Sequence, residues 1–229
     1  MADLFAEALR RIAVLDREVV EITVRTLAIS ACATLVSCAV FVPAAAAVHF
    51  RRFWGKNLLI GVVQTMYSLP TVLIGLLVYL LLSRSGPLGG LGLLFTPEAI
   101  VIGQALLIAP VIMGLSIATL QGVGPGVRDT ALGLGASHLR ADLAVILQAR
   151  HAWATVVLMA FGRAVSEVGV AMMVGGNIRG YTRTLTTAIS LGVGRGDNAE
   201  AVALGIMLLV VALAVTVLAT AAGRLSRGA

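Results

Sequence analysis

The 229-residue chain is poor in charge, in aromatic rings, in cysteine and above all in lysine. Only 12% of its residues are charged and 59% are hydrophobic, with a mean hydropathy of +1.00. Soluble domains carry about 25% charged residues, so a single water-soluble core is excluded and a lipid-embedded protein is implied. The two cysteines, Cys32 and Cys38, lie in one apolar run and suit small apolar filler better than a disulfide framework or a metal site. The one lysine, Lys56, is followed by Asn57, so no Gly-x4-Gly-Lys-Ser/Thr phosphate loop exists. Any nucleotide-driven work must draw on another polypeptide. A clean signal peptide is also missing, because "MADLFAEALRRIAVLDREVVE" mixes acids and bases.

What is present is a series of long uncharged runs. Thr26–Val48, Asn57–Ser83, Ala99–Val127 and Ala201–Gly223 contain no Asp, Glu, Lys or Arg. His151–Val174 carries just Arg163 and Glu167. Each is long enough to supply the roughly 20 residues that a helix needs to cross a bilayer. The expectation is an all-α integral membrane protein of five transmembrane helices, forming a single domain over residues 1–229. Ahead of them, Leu4, Ala8, Ile12, Leu15 and Val19 share a helical face, which predicts an interfacial or solvated helix over 2–20. Pro43, Pro70 and Pro110 fall inside spans, where they suggest kinks.

The short loop "HFRRFWGKN" is basic and aromatic, as cytoplasmic interfaces are. It places the N-terminus outside and the C-terminus in the cytoplasm. The remaining bases do not vote. Arg51, Arg52, Lys56, Arg128, Arg140, Arg150, Arg224 and Arg227 fall inside on this topology, and Arg10, Arg11, Arg17, Arg25, Arg84, Arg179, Arg183 and Arg195 fall outside. A net charge of +6 scattered this way is no nucleic-acid signal.

Between the third and fourth runs lies "RDTALGLGASHLRADLAVILQAR", residues 128–150, too charged for hydrocarbon. Leu132, Leu139, Leu143 and Ile146 are spaced to share one helical face, and Ala131, Gly133, Gly135 and Ala136 permit close backbone approach. A pair of short helices beneath the membrane is predicted over 125–149, one face on the bundle and the other offered to a partner.

This segment resembles the cytoplasmic motif of importer-type ABC permeases: Glu-Ala-Ala, three residues, Gly, nine residues, then Ile-x-Leu-Pro. Asp129, Thr130, Ala131 and Gly135 stand in that register, with Val145 and Leu147 following; Gln148 replaces the proline. Residues 161–209, with their Gly-Asn-Ile, Thr-Arg-x-Leu-Thr-Thr-Ala-Ile and Gly-Asp pieces, resemble the tungstate branch of the molybdate, tungstate and sulfate permeases. The resemblance implies a type I importer fold in a bacterial cytoplasmic membrane. It implies a homodimer, two ATPase subunits that hold the ATP and Mg, an external oxyanion-binding protein, and no cofactor in this chain. It also implies an ATPase-coupling surface at Asp129, Thr130, Ala131, Gly135, Ala136, Ser137, His138 and Arg140.

Two further groups are singled out. Arg163 and Glu167, four apart, share a helix face and form either a gate or a structural ion pair. Asn177, Thr182, Arg183, Thr184, Thr186 and Thr187 supply the donors that a tetrahedral dianion wants along its path. Arg179 and Arg195 suit acidic residues on a delivering protein. Molybdate, sulfate, methionine and phosphate are rival cargoes; a membrane anchor and a self-sufficient secondary transporter are rival functions, the latter marked by repeats and discontinuous helices.

Overall fold

The computed structural model describes Glu7, Arg10, residues 12–14 and residues 16–227, with side chains given to residue 221 and at Gly223. Leu4, Ala8 and Leu15 of the expected N-terminal helix lie outside the described residues, as do the side chains of Arg224 and Arg227. Every described element is a helix: α1 (Arg17–Phe50), α2 (Lys56–Thr65), α3 (Thr71–Leu82), α4 (Pro97–Gly122), α5 (Pro125–Gly133), α6 (His138–Gln148), α7 (Arg150–Val165), α8 (Gly169–Gly175), α9 (Leu185–Arg195) and α10 (Asn198–Arg227). Three helices, α1, α4 and α10, are long and apolar enough to cross a membrane, and the count reaches five if each bent helix pair is one crossing.

Asp16 sets the start of α1 by accepting from the backbone N–H groups of Glu18 at 2.9 Å and Val19 at 3.4 Å. Val19 therefore belongs to α1, where it is buried. The 34 residues of α1 span about 51 Å, well beyond a hydrocarbon core of about 30 Å. At the other end of α1, Lys56 donates to the His49 carbonyl at 2.6 Å, placing a cation at the helix C-terminus.

The second expected span is not one helix. Helices α2 and α3 meet at 98° across a 3-10 turn, Met66–Ser68, that ends at Leu69 and Pro70. Pro70 has no N–H to give, and it holds Leu69 in extended backbone, so the helix restarts at Thr71. Pro43 and Pro110, by contrast, sit inside continuous helices. The fourth expected span is interrupted as well, with α7 ending at Val165 and α8 beginning at Gly169. Taking α6 with α7 across their 64° bend also gives an apolar stretch. Arg140 and Asp142 make α6 a poor lipid neighbour, so we read the crossing as α7 with α8.

The two interruptions lie against each other. A Cβ on Gly169 would come within 2.8 Å of the Thr71 hydroxyl and 3.2 Å of the Val72 backbone. Gly75 opposite Met173 lets α3 and α8 close in the same way, and Gly175 leaves room for Ile100 of α4. Small residues allow this approach where lipid offers no hydrophobic drive.

The core is otherwise built on α1 and α4. Thr23, Thr26, Ser30, Thr34 and Ser37 form a buried hydroxyl stripe on α1. Ser37 donates across to the Ala105 carbonyl at 3.0 Å. Gln104, itself buried, donates to the Ala164 carbonyl at 3.1 Å and ties α4 to α7. Cys38 packs against the Ile108–Ile112–Ala160–Ala164 cluster, while Cys32 is exposed; both are free.

Candidate functional site

The segment between α4 and α7 forms a ledge of two short helices. Helix α5 ends in a Schellman turn: Ala136 N–H bonds the Ala131 carbonyl at 3.0 Å, and Gly135 N–H bonds Leu132 at 2.9 Å. That turn requires the left-handed φ of +87° at Gly135, which glycine adopts without strain. Arg128 then joins Asp142 at 2.7 Å and clamps α5 to α6.

Of the four residues spaced to share a face, Leu139 and Leu143 are exposed and Leu132 and Ile146 are half-buried. Ala141 and Val145 are the buried residues of α6, whereas Leu139 is 72% exposed and Leu143 and Leu147 follow it outward. Leu134 between the helices is 84% exposed. Asp129, Thr130, Gly135, Ser137, His138 and Arg140 are exposed with them, and Ala131 and Ala136 are half-buried.

At the opposite end of α1 the threonine-rich segment folds onto the protein. Thr182, Thr184, Thr186 and Thr187 are all buried, and so is Arg183. Their hydroxyls work inside the chain. Thr182 donates to the Gly175 carbonyl at 2.5 Å, and Thr186 donates to the Glu167 carbonyl at 2.6 Å. Thr184 and Thr187 form the capping box of α9. Asn177, at a left-handed φ of 51°, donates to the Thr187 carbonyl at 3.2 Å. Thr26 of α1 accepts from Leu185 N–H at 2.9 Å.

Three arginines complete this fold-back. Glu18 receives Arg179 in a two-pronged pair and Arg183 at 3.3 Å. The Glu18 carboxylate also raises Arg179 above its ordinary pKa. Arg25 donates to the carbonyls of Gly180 at 2.9 Å and Arg183 at 3.4 Å. So Arg179 is engaged within its own chain, while Arg195 is exposed.

Arg163 and Glu167 meet as their spacing requires, Nη1 to Oε2 at 2.9 Å. The pair is unequal: the side chain of Glu167 is 2% exposed and that of Arg163 is 37% exposed. The other Glu167 oxygen accepts from Val170 N–H at 3.0 Å and caps α8. Among the described residues no group of three or more His, Cys, Asp and Glu side chains offers a metal site.

Residues 39–227 match the family described as the binding-protein-dependent transport system inner membrane component. The chain belongs to this family. It is therefore the membrane-embedded, non-catalytic permease subunit of an ABC transporter. The permease is 44% identical over 177 residues to the probable anion ABC transporter permease protein of Haloferax volcanii, covering 75% of this chain and 76% of that one. It is 36% identical over 191 residues to the tungstate uptake system permease protein TupB of Peptoclostridium acidaminophilum, covering 83% and 84%. It is also 26% identical over 147 residues to the molybdenum transport system permease protein ModB of Haemophilus influenzae, covering 61% and 64%.

Family membership, rather than helix continuity, separates the permease from a secondary transporter, since two of its spans are broken. Several residues that build the site escape a reading by charge alone. Glu18 and Thr26 hold the threonine segment, and Gln104 and Ser166 flank the break after α7. The hydroxyl spacing at 23, 26, 30, 34 and 37 is the signal that marks the buried face of α1.

Proposed function

We propose that this permease imports an oxyanion, tungstate first and molybdate or sulfate as alternatives, as a homodimer seated on two ATPase subunits. An external binding protein delivers the anion, and ATP with its Mg is held by the ATPase. The observation that carries the coupling is the α5–α6 ledge, with Leu134, Leu139, Leu143 and Leu147 exposed on a segment that holds Arg128, Arg140 and Asp142. A charged segment does not sit in lipid, and bare leucines do not favour water; both needs are met by a protein partner. The Arg128–Asp142 clamp lets a push on the ledge travel as a rigid displacement into α7. The tungstate assignment is supported by likeness to permeases named for tungstate and for an anion.

In this reading the ledge and the Arg51–Lys56 loop face the cytoplasm. The threonine segment and the start of α1 face outward. Because Thr182, Thr184, Thr186 and Thr187 are committed within the fold, the segment frames the outer end of the path, and Arg195 and Arg84 are among the exposed cations there. The test is ATP hydrolysis by the purified permease–ATPase complex with the binding protein. Loaded binding protein should raise it, with tungstate the most effective of tungstate, molybdate and sulfate. Equal stimulation by empty and loaded binding protein would count against the reading.

A further inference from the structure

A cavity of about 1070 Å³ opens between α4, α7 and α10. Its walls are apolar at Met159 and Val215 and carry hydroxyls at Ser166, Thr216 and Thr220, with Arg163 as the one charged group among the described residues that line it. A second cavity of about 430 Å³ shares Thr119 and Ala152 with the first and reaches Arg150 and His151 beside the ledge. Together they outline a cleft from the interruption at Ser166–Val168 down to the ledge end of the bundle.

Arg163 is placed oddly for a residue that only locks helices. Its guanidinium has five N–H donors, yet its one hydrogen bond among the described residues is Nη1 to Glu167. Glu167 is fixed from both sides, through its carboxylate to Val170 and its carbonyl to Thr186. The carboxylate is the anchored partner, and the arginine turns its unused donors to the cavity. An ionisable residue at this depth that faces a cavity marks a pathway more often than a strut.

We propose that Arg163 is a transit site for the oxyanion within the membrane, with Glu167 as a built-in competitor that keeps binding weak. The proposal rests on the importer reading and assigns the cargo's place within it. A tetrahedral dianion accepts from the free guanidinium N–H groups. Ser166, Thr216 and Thr220 donate at present to Gly162, Ala212 and Thr216 carbonyls at 2.8–2.9 Å. Rotation of each hydroxyl brings its hydrogen to the anion instead. Glu167, 2.9 Å from the same guanidinium, repels the dianion, so the anion leaves readily. Conduction demands a site that binds weakly enough to release.

The test uses the complete permease–ATPase complex and sodium tungstate. With the binding protein in proteoliposomes, Arg163→Gln should lower ATP-driven tungstate uptake about tenfold or more, the weight of a lost charge-assisted contact, and Arg163→Lys should restore part of it. By equilibrium dialysis without the binding protein, Glu167→Gln should hold tungstate about tenfold more tightly than wild type, because Gln still accepts from Val170 but no longer neutralises Arg163. Should Arg163→Gln fail to co-purify with the ATPase, Met159→Asp decides: it sets a second carboxylate in the same cavity one helical turn from Arg163, where it competes for the guanidinium and repels the dianion, and should block uptake. Wild-type uptake in Arg163→Gln or Met159→Asp overturns the transit site and leaves the importer reading standing, as does dialysis showing no tightening in Glu167→Gln. A wild-type complex without tungstate, molybdate or sulfate uptake overturns both.

Discussion

Thr186 donates its hydroxyl hydrogen to the main-chain oxygen of Glu167 at 2.6 Å, joining the start of α9 to the gap between α7 and α8. Both residues are buried, and the carbonyl lies where the helix has stopped supplying partners. Thr186→Val keeps the shape and removes the donor. The variant should lose about 1–3 kcal/mol of stability, the cost of a buried unpaired carbonyl, read as a lower midpoint of thermal unfolding in detergent. An unchanged midpoint would mean that water or another group replaces the bond.

The clamp at Glu18 predicts a contrast between two arginines that the sequence presents alike. Arg179 is exposed on the surface and Arg183 is buried, though both pair with Glu18. Arg179→Ala should leave stability unaltered, in keeping with exposed ion pairs. Arg183→Ala should speed proteolysis of the 176–184 segment and lower the unfolding midpoint. Equal behaviour of the two variants would contradict the burial difference.

On the ledge, Leu139→Glu and Leu143→Glu alter exposed side chains that the bundle does not need. Both variants should insert and fold, with stability changes within about 0.5 kcal/mol, yet fail to co-purify with the ATPase. Normal co-purification would remove the leucine ridge from the docking surface.

Gly135 separates local geometry from contact. A Cβ there meets nothing within 4 Å, so the strain of its positive φ is the whole internal cost of Gly135→Ala, about 1 kcal/mol. Gly169 is the opposite case, since its Cβ would run into Thr71 and the Val72 backbone. Gly169→Val should cost about 1–3 kcal/mol by overpacking and spread the two helix breaks apart. Thermal unfolding of both variants measures the difference; a larger loss at Gly135 would contradict the packing.

Much of this architecture is legible in the amino-acid order, because hydrocarbon punishes charge so strongly. The uncharged runs find the helical material, and the four-residue spacing of Arg163 and Glu167 correctly brings them together. What stays hidden is where a helix breaks. Pro43, Pro70 and Pro110 all suggest kinks, yet only Pro70 stands at a break, and mean hydropathy reads through Ser166–Val168 despite Glu167 because both flanks are apolar. The breaks depend on a missing proline N–H, on a glutamate that caps the next helix, and on glycines meeting across the gap. The ledge is underdetermined for a related reason: leucine spacing defines a face but not its direction, and here Leu139 and Leu143 are exposed while Ala141 and Val145 are buried. Likewise, threonine chemistry in Thr182–Thr187 signals donors without saying that the backbone takes them.

The central claim is that an external engine drives this permease through its ledge to move an oxyanion inward. Labelled tungstate uptake by proteoliposomes holding the permease, its ATPase and the binding protein tests it most directly. The account predicts accumulation in the lumen that needs ATP sealed inside the vesicles, where the ATPase faces, with loaded binding protein outside. Lumenal accumulation that proceeds equally without ATP, or with the ATPase left out, would contradict it.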